Sequence, residues 1–463
     1  MIRFLLLLLL FVALSGPALA DCPFEKLGAI YSAKTDDGVY IKLLRYAPAE
    51  EKPNAGAQPI ILFSGLVENM AEYLPHTPDS LKGTYKAKLP ENLADWAKND
   101  PRIQNDPMLY YSLAYYLWKK GYDVWLVNYR GTGCGNLKSE VGSKYTSLDV
   151  WAIYDTKAAI RKVYEVTGKN PIIGGHSTGG LVSYVYLQGT KFADTLACAV
   201  GEVWCKKVVS DDGLAKYRNG DYINSETVLG VIAIDPAMIP PLPKIIDNIL
   251  VWSLLDIPLY IDIRNIIDKI AETDPLWGVT LLTEDFLFKV LYRVNSIYGN
   301  YSDIIKALTF TNPYNLDPYL NDFLVRYIFD SAYTPTFAQY ADFGLRYTAR
   351  EYFENGGRGY LIEPPKPNPG YDGYYYYIYN MKKVKVPFVT VLSELDGLVK
   401  SDQIIRDLMQ AKTPHPLDRY RIIPNTGHVD LPFGLNAPTD VFPFIGQWLD
   451  DLKAQKGYTV TPH

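Results

Sequence analysis

The chain is poor in metal-binding side chains, with five histidines and four cysteines in 463 residues. Neither C-x-x-C nor H-E-x-x-H occurs, so the usual zinc signatures are missing, and no metal or other cofactor is expected. There is no excess of positive charge either. Lys and Arg number 46 against 51 Asp and Glu, for a net charge of −5. A nucleic-acid partner needs a basic face, and none is expected here. One apolar run, Phe4 to Leu14, stands out, and it is shorter than the roughly 20 residues of a membrane span. With Arg3 before it and Ala18-Leu19-Ala20 after it, residues 1–20 read as a signal peptide. The mature chain should then begin near Asp21 and be secreted or periplasmic. Asp21 before Cys22 argues against lipidation. All four cysteines, Cys22, Cys134, Cys198 and Cys205, fall in the exported part and allow three pairings. Cys198 with Cys205, close in sequence, is the pairing preferred. Tyrosine, at 38 residues, is abundant; most of it reads as core and surface filler.

The remaining residues are organised around Gly175-His176-Ser177-Thr178-Gly179. Apolar Ile172 and Ile173 precede this G-x-S-x-G pattern, and a helix-like stretch from Leu181 to Leu187 follows it. A nucleophile elbow requires that context, because its serine sits at a strained position on a sharp strand-to-helix turn. The flanking glycines admit close approach of strand and helix. Ser177 is thus the nucleophile, at a helix N-terminus whose free N–H groups favour developing negative charge. A glycine-rich turn that merely contains a serine is the plainer alternative.

Upstream, Ala29–Ser32 and Val39–Tyr46 flank Asp36-Asp37-Gly38 and predict a hairpin. Gln58 to Phe63 is a continuous apolar run, as in a strand buried on both faces, and it ends in Ser64-Gly65-Leu66-Val67. A backbone turn there can aim an N–H at a substrate carbonyl, so the candidate oxyanion donors are the amides of Leu66 and Thr178. The polar stretch from Glu68 to Asn105 reads as an insertion over the site, or equally as a surface loop. A helix is predicted from Pro107 to Lys119, a strand over Tyr122–Val127 and a second helix over Ser147–Thr167. Alternation of strand and helix into the elbow implies an α/β fold: a mostly parallel sheet with helices on both faces. Gly131-Thr-Gly133 looks like a dinucleotide fingerprint, but Asn136 occupies the third glycine position and breaks it.

Three runs, GYDVWLVNYRGTG from Gly121, GGHSTGG from Gly174 and NTGHVD from Asn425, together resemble the α/β-hydrolase superfamily. Its acid-lipase and monoacylglycerol-lipase-like branches are the nearest in appearance. The resemblance covers Leu27 to Leu187 and Val384 to Leu452. It implies a serine hydrolase acting on esters or amides. Ser64-Gly65 departs from the His-Gly that many relatives carry at the oxyanion strand. The resemblance also completes a triad. Asp396 lies in the turn beyond the strand Val386–Leu392 and resembles the family's acid, with Asp235 and Glu394 as alternatives. His428 follows the strand Arg419–Ile423 and gives the superfamily's order of Ser, Asp, His. His176 is expected to pack beside the elbow, and His76, His415 and His463 lack a strand end to aim them. Asp396 also reads as an ordinary turn aspartate, and His428 as a structural histidine.

The expected chemistry is attack by Ser177 with His428 as base, Asp396 as orienter and an acyl-enzyme intermediate. The core is assigned to 21–236 and 384–463. Residues 237–383 are read as a large helical cap, with helices over Ile245–Leu255, Ile261–Ile270, Thr283–Val294 and Tyr319–Phe329. Tyr374–Tyr379 reads as a strand or a binding surface. A cap of that size suggests a bulky, lipid-like ester and passing contact with lipid surfaces; the oligomeric state is left open. A peptidase or amidase on the same triad, and a catalytically silent binding protein on the same scaffold, are the alternative readings.

Overall fold

The computed structural model describes residues 22–194, 206–220, 223–239, 257–265, 267–268, 311–352 and 373–463. The expected signal peptide, the expected Cys198–Cys205 pairing, and the helices expected over Ile245–Leu255 and Thr283–Val294 lie outside these residues.

The centre is an eight-stranded sheet. Strands β1 (Gly28–Lys34) and β2 (Tyr40–Tyr46) form the expected hairpin, closed by Gly38 at φ 92°. Then come β3 (Pro59–Phe63), β4 (Asp123–Asn128) and β5 (Ile172–His176). A two-stranded ribbon, β6 (Thr190–Asp194) with β7 (Lys206–Ser210), stands apart, and the sheet resumes at β8 (Val231–Ile234). A short pair, β9 (Tyr260–Ile261) with β10 (Ala332–Tyr333), belongs to the expected cap. Strands β11 (Phe388–Ser393) and β12 (Arg419–Ile423) complete the sheet. Its order is β1-β2-β4-β3-β5-β8-β11-β12. Only β1 against β2 and β2 against β4 run antiparallel. With helices covering both faces, this is the α/β-hydrolase fold that the resemblance implied.

The sheet divides the apolar interior into two cores, one on each face. Strands β3, β4, β5 and β8 are buried along their whole length, which is why their sequences run apolar instead of alternating. Each buried Ile or Leu contributes about 1.5–3 kcal/mol. The helix expected after Ser147 runs over 148–167 with a wide π-type turn at Trp151–Asp155, and ends on Gly168 at φ 69°.

Several expectations are corrected. The helix predicted from Pro107 is two pieces, a 3-10 turn over Pro107–Tyr111 and a helix over Leu113–Lys119. Ser112 breaks it, since its hydroxyl accepts from the Tyr115 N–H and caps the second piece. The start of the stretch expected over or outside the site is core instead: Glu68, Asn69, Met70, Ala71, Glu72 and Tyr73 are all buried. Residue 261, expected to open a helix, is in β9, paired with Ala332. The helix over Thr334–Arg346 was not anticipated; Pro335 sits in its first turn, where a missing N–H costs nothing. Tyr319–Phe329 is helical as expected, over Pro318–Phe323 and Leu324–Ile328. Tyr376 makes an isolated bridge to Arg350 before a turn over Ile378–Lys383. His463 is docked: its ring stacks on Trp118 at 4.1 Å and bonds Asn54. Cys22 and Cys134 form a disulfide, the bond left to them when Cys198 is paired with Cys205.

Candidate active site

Ser177 sits between β5 and the helix Thr178–Leu187 with φ 50° and ψ −111°, a conformation a non-glycine residue rarely adopts. Its backbone is pinned on both sides. The Ser177 N–H donates to Ile234 O at 2.9 Å, and Ser177 O accepts from the Ala237 N–H at 2.9 Å. The glycines around it are there for space. A Cβ on Gly179 would fall 2.1 Å from Phe63 O, and one on Gly180 2.5 Å from the Cβ of Pro236. That close approach brings the end of β3, and the turn after it, against the elbow. Ser177 is only partly buried in otherwise buried surroundings, as a reacting hydroxyl must be.

Asp396 and His428 come from the turns after β11 and β12, neighbouring parallel strands. His428 Nδ1 lies 2.6 Å from Asp396 Oδ2. The other Asp396 oxygen accepts from the N–H groups of Leu398 at 2.6 Å and Val399 at 3.0 Å. The aspartate is therefore both a turn residue and the partner of the imidazole; the two readings of its sequence do not compete. Both side chains are essentially buried. Of the alternative acids, Asp235 is close: its Oδ2 is 3.8 Å from the same Nδ1. Asp235 is spoken for by Ser393, whose N–H donates to Oδ1 at 2.8 Å and whose hydroxyl donates to Oδ2. Burial, and then the neighbouring Asp396, push the Asp235 carboxyl well above its usual range. Glu394 is exposed and accepts from the Asn425 N–H, away from His428.

The oxyanion candidates flank the elbow. Thr178 opens the helix, where first-turn N–H groups have no partner within the helix. Its hydroxyl is 2.7 Å from the Tyr340 hydroxyl, brought by the helix Thr334–Arg346. Leu66 lies in the turn 64–67, with Val67 at φ 63°. The 328–330 segment braces that turn: Asp330 N–H donates to Val67 O at 2.8 Å and Asn69 N–H to Ile328 O at 3.1 Å. Ser64 donates to Glu68 O at 3.3 Å and supports the turn from within.

Sequence reasoning missed what lies beneath. His176 is fully buried, with Nδ1 3.1 Å from Glu68 Oε2 and 3.2 Å from Glu72 Oε2. Its Nε2 is 3.0 Å from the backbone O of His428, and the two rings stand 4.7 Å apart. Burial alone would lower the His176 pKa, but the two carboxylates, Glu68 foremost, outweigh it and raise it well above the usual range. Glu72 is pushed up to about 8, by burial and then by Glu68. The legible signal was Glu68-x-x-x-Glu72 directly after the oxyanion turn. Tyr340 was missed with its helix.

No family model matches the sequence. A lipase of Caenorhabditis elegans, lipl-3, is 32% identical over 168 residues, 34% of this chain and 34% of that protein. The match thus spans about a third of the length of that curated relative. Among solved structures, the chain is similar to a thermophilic esterase from Thermogutta terrifontis, at 13% identity and TM-score 0.42 over 92% of this chain and 99% of the other. It is also similar to naproxen esterase from Bacillus subtilis, at 12% identity and TM-score 0.39 over 91% of each chain.

Proposed function

We propose that the protein is an exported serine hydrolase that cleaves carboxylic esters, lipid-like ones in particular. The observation that carries the reading is the 2.6 Å pair between Asp396 and His428, in an α/β-hydrolase sheet that also holds Ser177 at a strained elbow. With Nδ1 committed to Asp396, the imidazole keeps Nε2 for the substrate side. His428 takes the Ser177 proton as Oγ attacks the acyl carbonyl, and Asp396 stabilises the imidazolium that forms. The amides of Leu66 and Thr178 receive the oxyanion. His428 returns the proton to the departing alkoxide, leaving an acyl-enzyme and a free alcohol. Water, activated by the same imidazole, then releases the acid and restores Ser177.

Likeness to a lipase over a third of the chain favours a lipid-like ester. The Cys22–Cys134 disulfide favours an oxidising compartment, and with it the signal-peptide reading of residues 1–20.

The test is hydrolysis of p-nitrophenyl esters of graded acyl length by wild type and Ser177→Ala. Activity that rises with acyl length and disappears in the variant supports the reading. A folded wild type inert towards every ester and towards a fluorophosphonate probe overturns it.

A further inference from the structure

The proposed chemistry leaves one buried ionisable cluster without a task. Glu68, Glu72 and His176 are each at most 4% exposed. They join three separate parts of the site: Glu68 follows the oxyanion turn, His176 precedes the nucleophile, and the His176 ring reaches the backbone of the base.

Both ring nitrogens of His176 face oxygen. Nδ1 looks onto carboxylate oxygens of Glu68 and Glu72, and Nε2 onto a carbonyl oxygen, which can only accept. A ring hydrogen is therefore required at Nε2, and the ionised Glu68 calls for another at Nδ1. The carboxylates divide their roles. The His176 charge holds Glu68 below its usual range against the pull of burial, while Glu72, beside an ionised Glu68, keeps its proton. The other groups that bear on the ring are Asp235 and His428 itself, and Tyr73, whose hydroxyl accepts from the His176 backbone N–H. The space is fitted to the arrangement: a Cβ on Gly65 would lie 2.1 Å from Glu68 Oε2 and 3.3 Å from His176 Nδ1. A side chain at this position of the oxyanion turn would press directly on the carboxylate behind it.

We propose that His176 is a positioning residue, an imidazolium held by Glu68 that clamps the His428 carbonyl and so fixes the base, the nucleophile turn and the oxyanion turn to one another. The clamp's catalytic role rests on the ester-hydrolase reading; its charge state does not. Two variants separate charge and hydrogen bond from mere filling. His176→Phe keeps a ring without a donor, and His176→Gln restores an N–H near the Nε2 position.

The experiment combines kinetics with ring-15N NMR of histidine-labelled protein. In the spectra, with the His176 signals identified by their loss in His176→Gln, the ring stays doubly protonated through pH 8 and its Nε2–H exchanges slowly. In kinetics, His176→Phe lowers kcat by about tenfold or more while KM moves less than about threefold, and His176→Gln recovers much of the loss. A neutral His176 ring at pH 7 overturns the proposal. So does wild-type kcat in a folded His176→Phe, or a metal ion recovered in stoichiometric amount, since Nδ1 would then be a ligand. If His176→Phe does not fold, the wild-type spectra decide. If wild type cleaves no ester and takes no fluorophosphonate, it is the hydrolase reading that has failed, and the spectra still test the cation.

Discussion

Asp396 Oδ2 approaches His428 Nδ1 to 2.6 Å, and Asp235 Oδ2 stands 3.8 Å from the same nitrogen. One carboxylate is in bonding contact, and a second is one short movement away. Replacing the orienting aspartate of such a triad by asparagine presents the wrong hydrogen-bonding group and costs on the order of 10⁴ in kcat where it has been measured. Here the loss in Asp396→Ala should be smaller, about 10² to 10³, because Asp235 can turn towards the vacated nitrogen. The double variant Asp235→Asn/Asp396→Ala should then lose the remainder. Steady-state kinetics of the three proteins check this, and equal activity of single and double variants would dismiss Asp235 as a substitute.

Tyr340 reaches the elbow from a helix of the expected cap, and its hydroxyl meets that of Thr178 at 2.7 Å. Thr178 also supplies a proposed oxyanion donor, so the contact bears on how its amide is aimed. Tyr340→Phe should reduce kcat about threefold to tenfold, less than the 10² to 10³ typical for removing a donor outright. The fold should survive, since the ring and its packing against Phe343 are kept. An unchanged kcat would show that the hydroxyl pair is dispensable.

How much of this was legible depends on how local each signal was. The elbow, the hairpin and strands β3, β4, β5 and β11 were readable because glycine placement and unbroken apolar runs are properties of short windows. Ser177, Asp396 and His428 were picked for their strand ends, and the latter two do meet. The Glu68–Glu72–His176 cluster was not readable in that way. It pairs residues more than 100 positions apart, and a polar stretch beginning with glutamate looks like surface until its partner is known. The break at Ser112 failed for another reason: apolar spacing continues across it, and only the cap geometry marks the boundary. The Cys22–Cys134 bond spans 112 residues and was legible only by elimination, as the pair left over once Cys198 is joined to its near neighbour Cys205.

Glu72 makes stability depend on pH. Its pKa in the folded protein, about 8, lies above the ordinary glutamate value of 4.5. A carboxyl raised in this way stabilises the fold while it is protonated, and that contribution is lost as pH climbs from about 4.5 through 8. Glu72→Gln resembles the protonated form at every pH and lacks the loss. Relative to wild type, its melting temperature should therefore improve steadily between pH 5 and pH 9. A difference that stays flat over that range, followed by calorimetry, would mean that Glu72 is ionised throughout.

The elbow glycines differ from the helix-capping ones in a way that substitution can expose. A Cβ on Gly179 would press into Phe63 O at 2.1 Å, where backbone must move. Gly168, at φ 69°, has nothing within 4 Å of a built Cβ, so alanine there meets only conformational strain. Gly168→Ala should cost about 1 kcal/mol. Gly179→Ala should cost about 3 kcal/mol, at the upper end of overpacking, and abolish turnover by spreading strand from helix. Urea melts rank the two, and a Gly179→Ala protein as stable as Gly168→Ala would contradict the contact.

The disulfide ties stability to the site along a traceable route. Cys134 lies in the loop whose Gly133 N–H donates to Asp330 Oδ2 at 2.7 Å. That carboxylate oxygen also accepts from the Asn69 side chain at 2.8 Å, and the Asp330 N–H donates to Val67 O. Cys22 therefore anchors, through three hydrogen bonds, the turn that carries Leu66. Closing a loop of this length stabilises a fold by about 4–5 kcal/mol in the chain-entropy picture. Cys22→Ser/Cys134→Ser should accordingly lose about 2–5 kcal/mol in denaturant melts. Loosening of the oxyanion turn should also lower kcat by about a few-fold at temperatures where the variant is fully folded, because a donor displaced by a fraction of an ångström holds the oxyanion less well. A variant that loses stability but keeps wild-type kcat would show that the Asp330 bonds hold the turn without help from the disulfide.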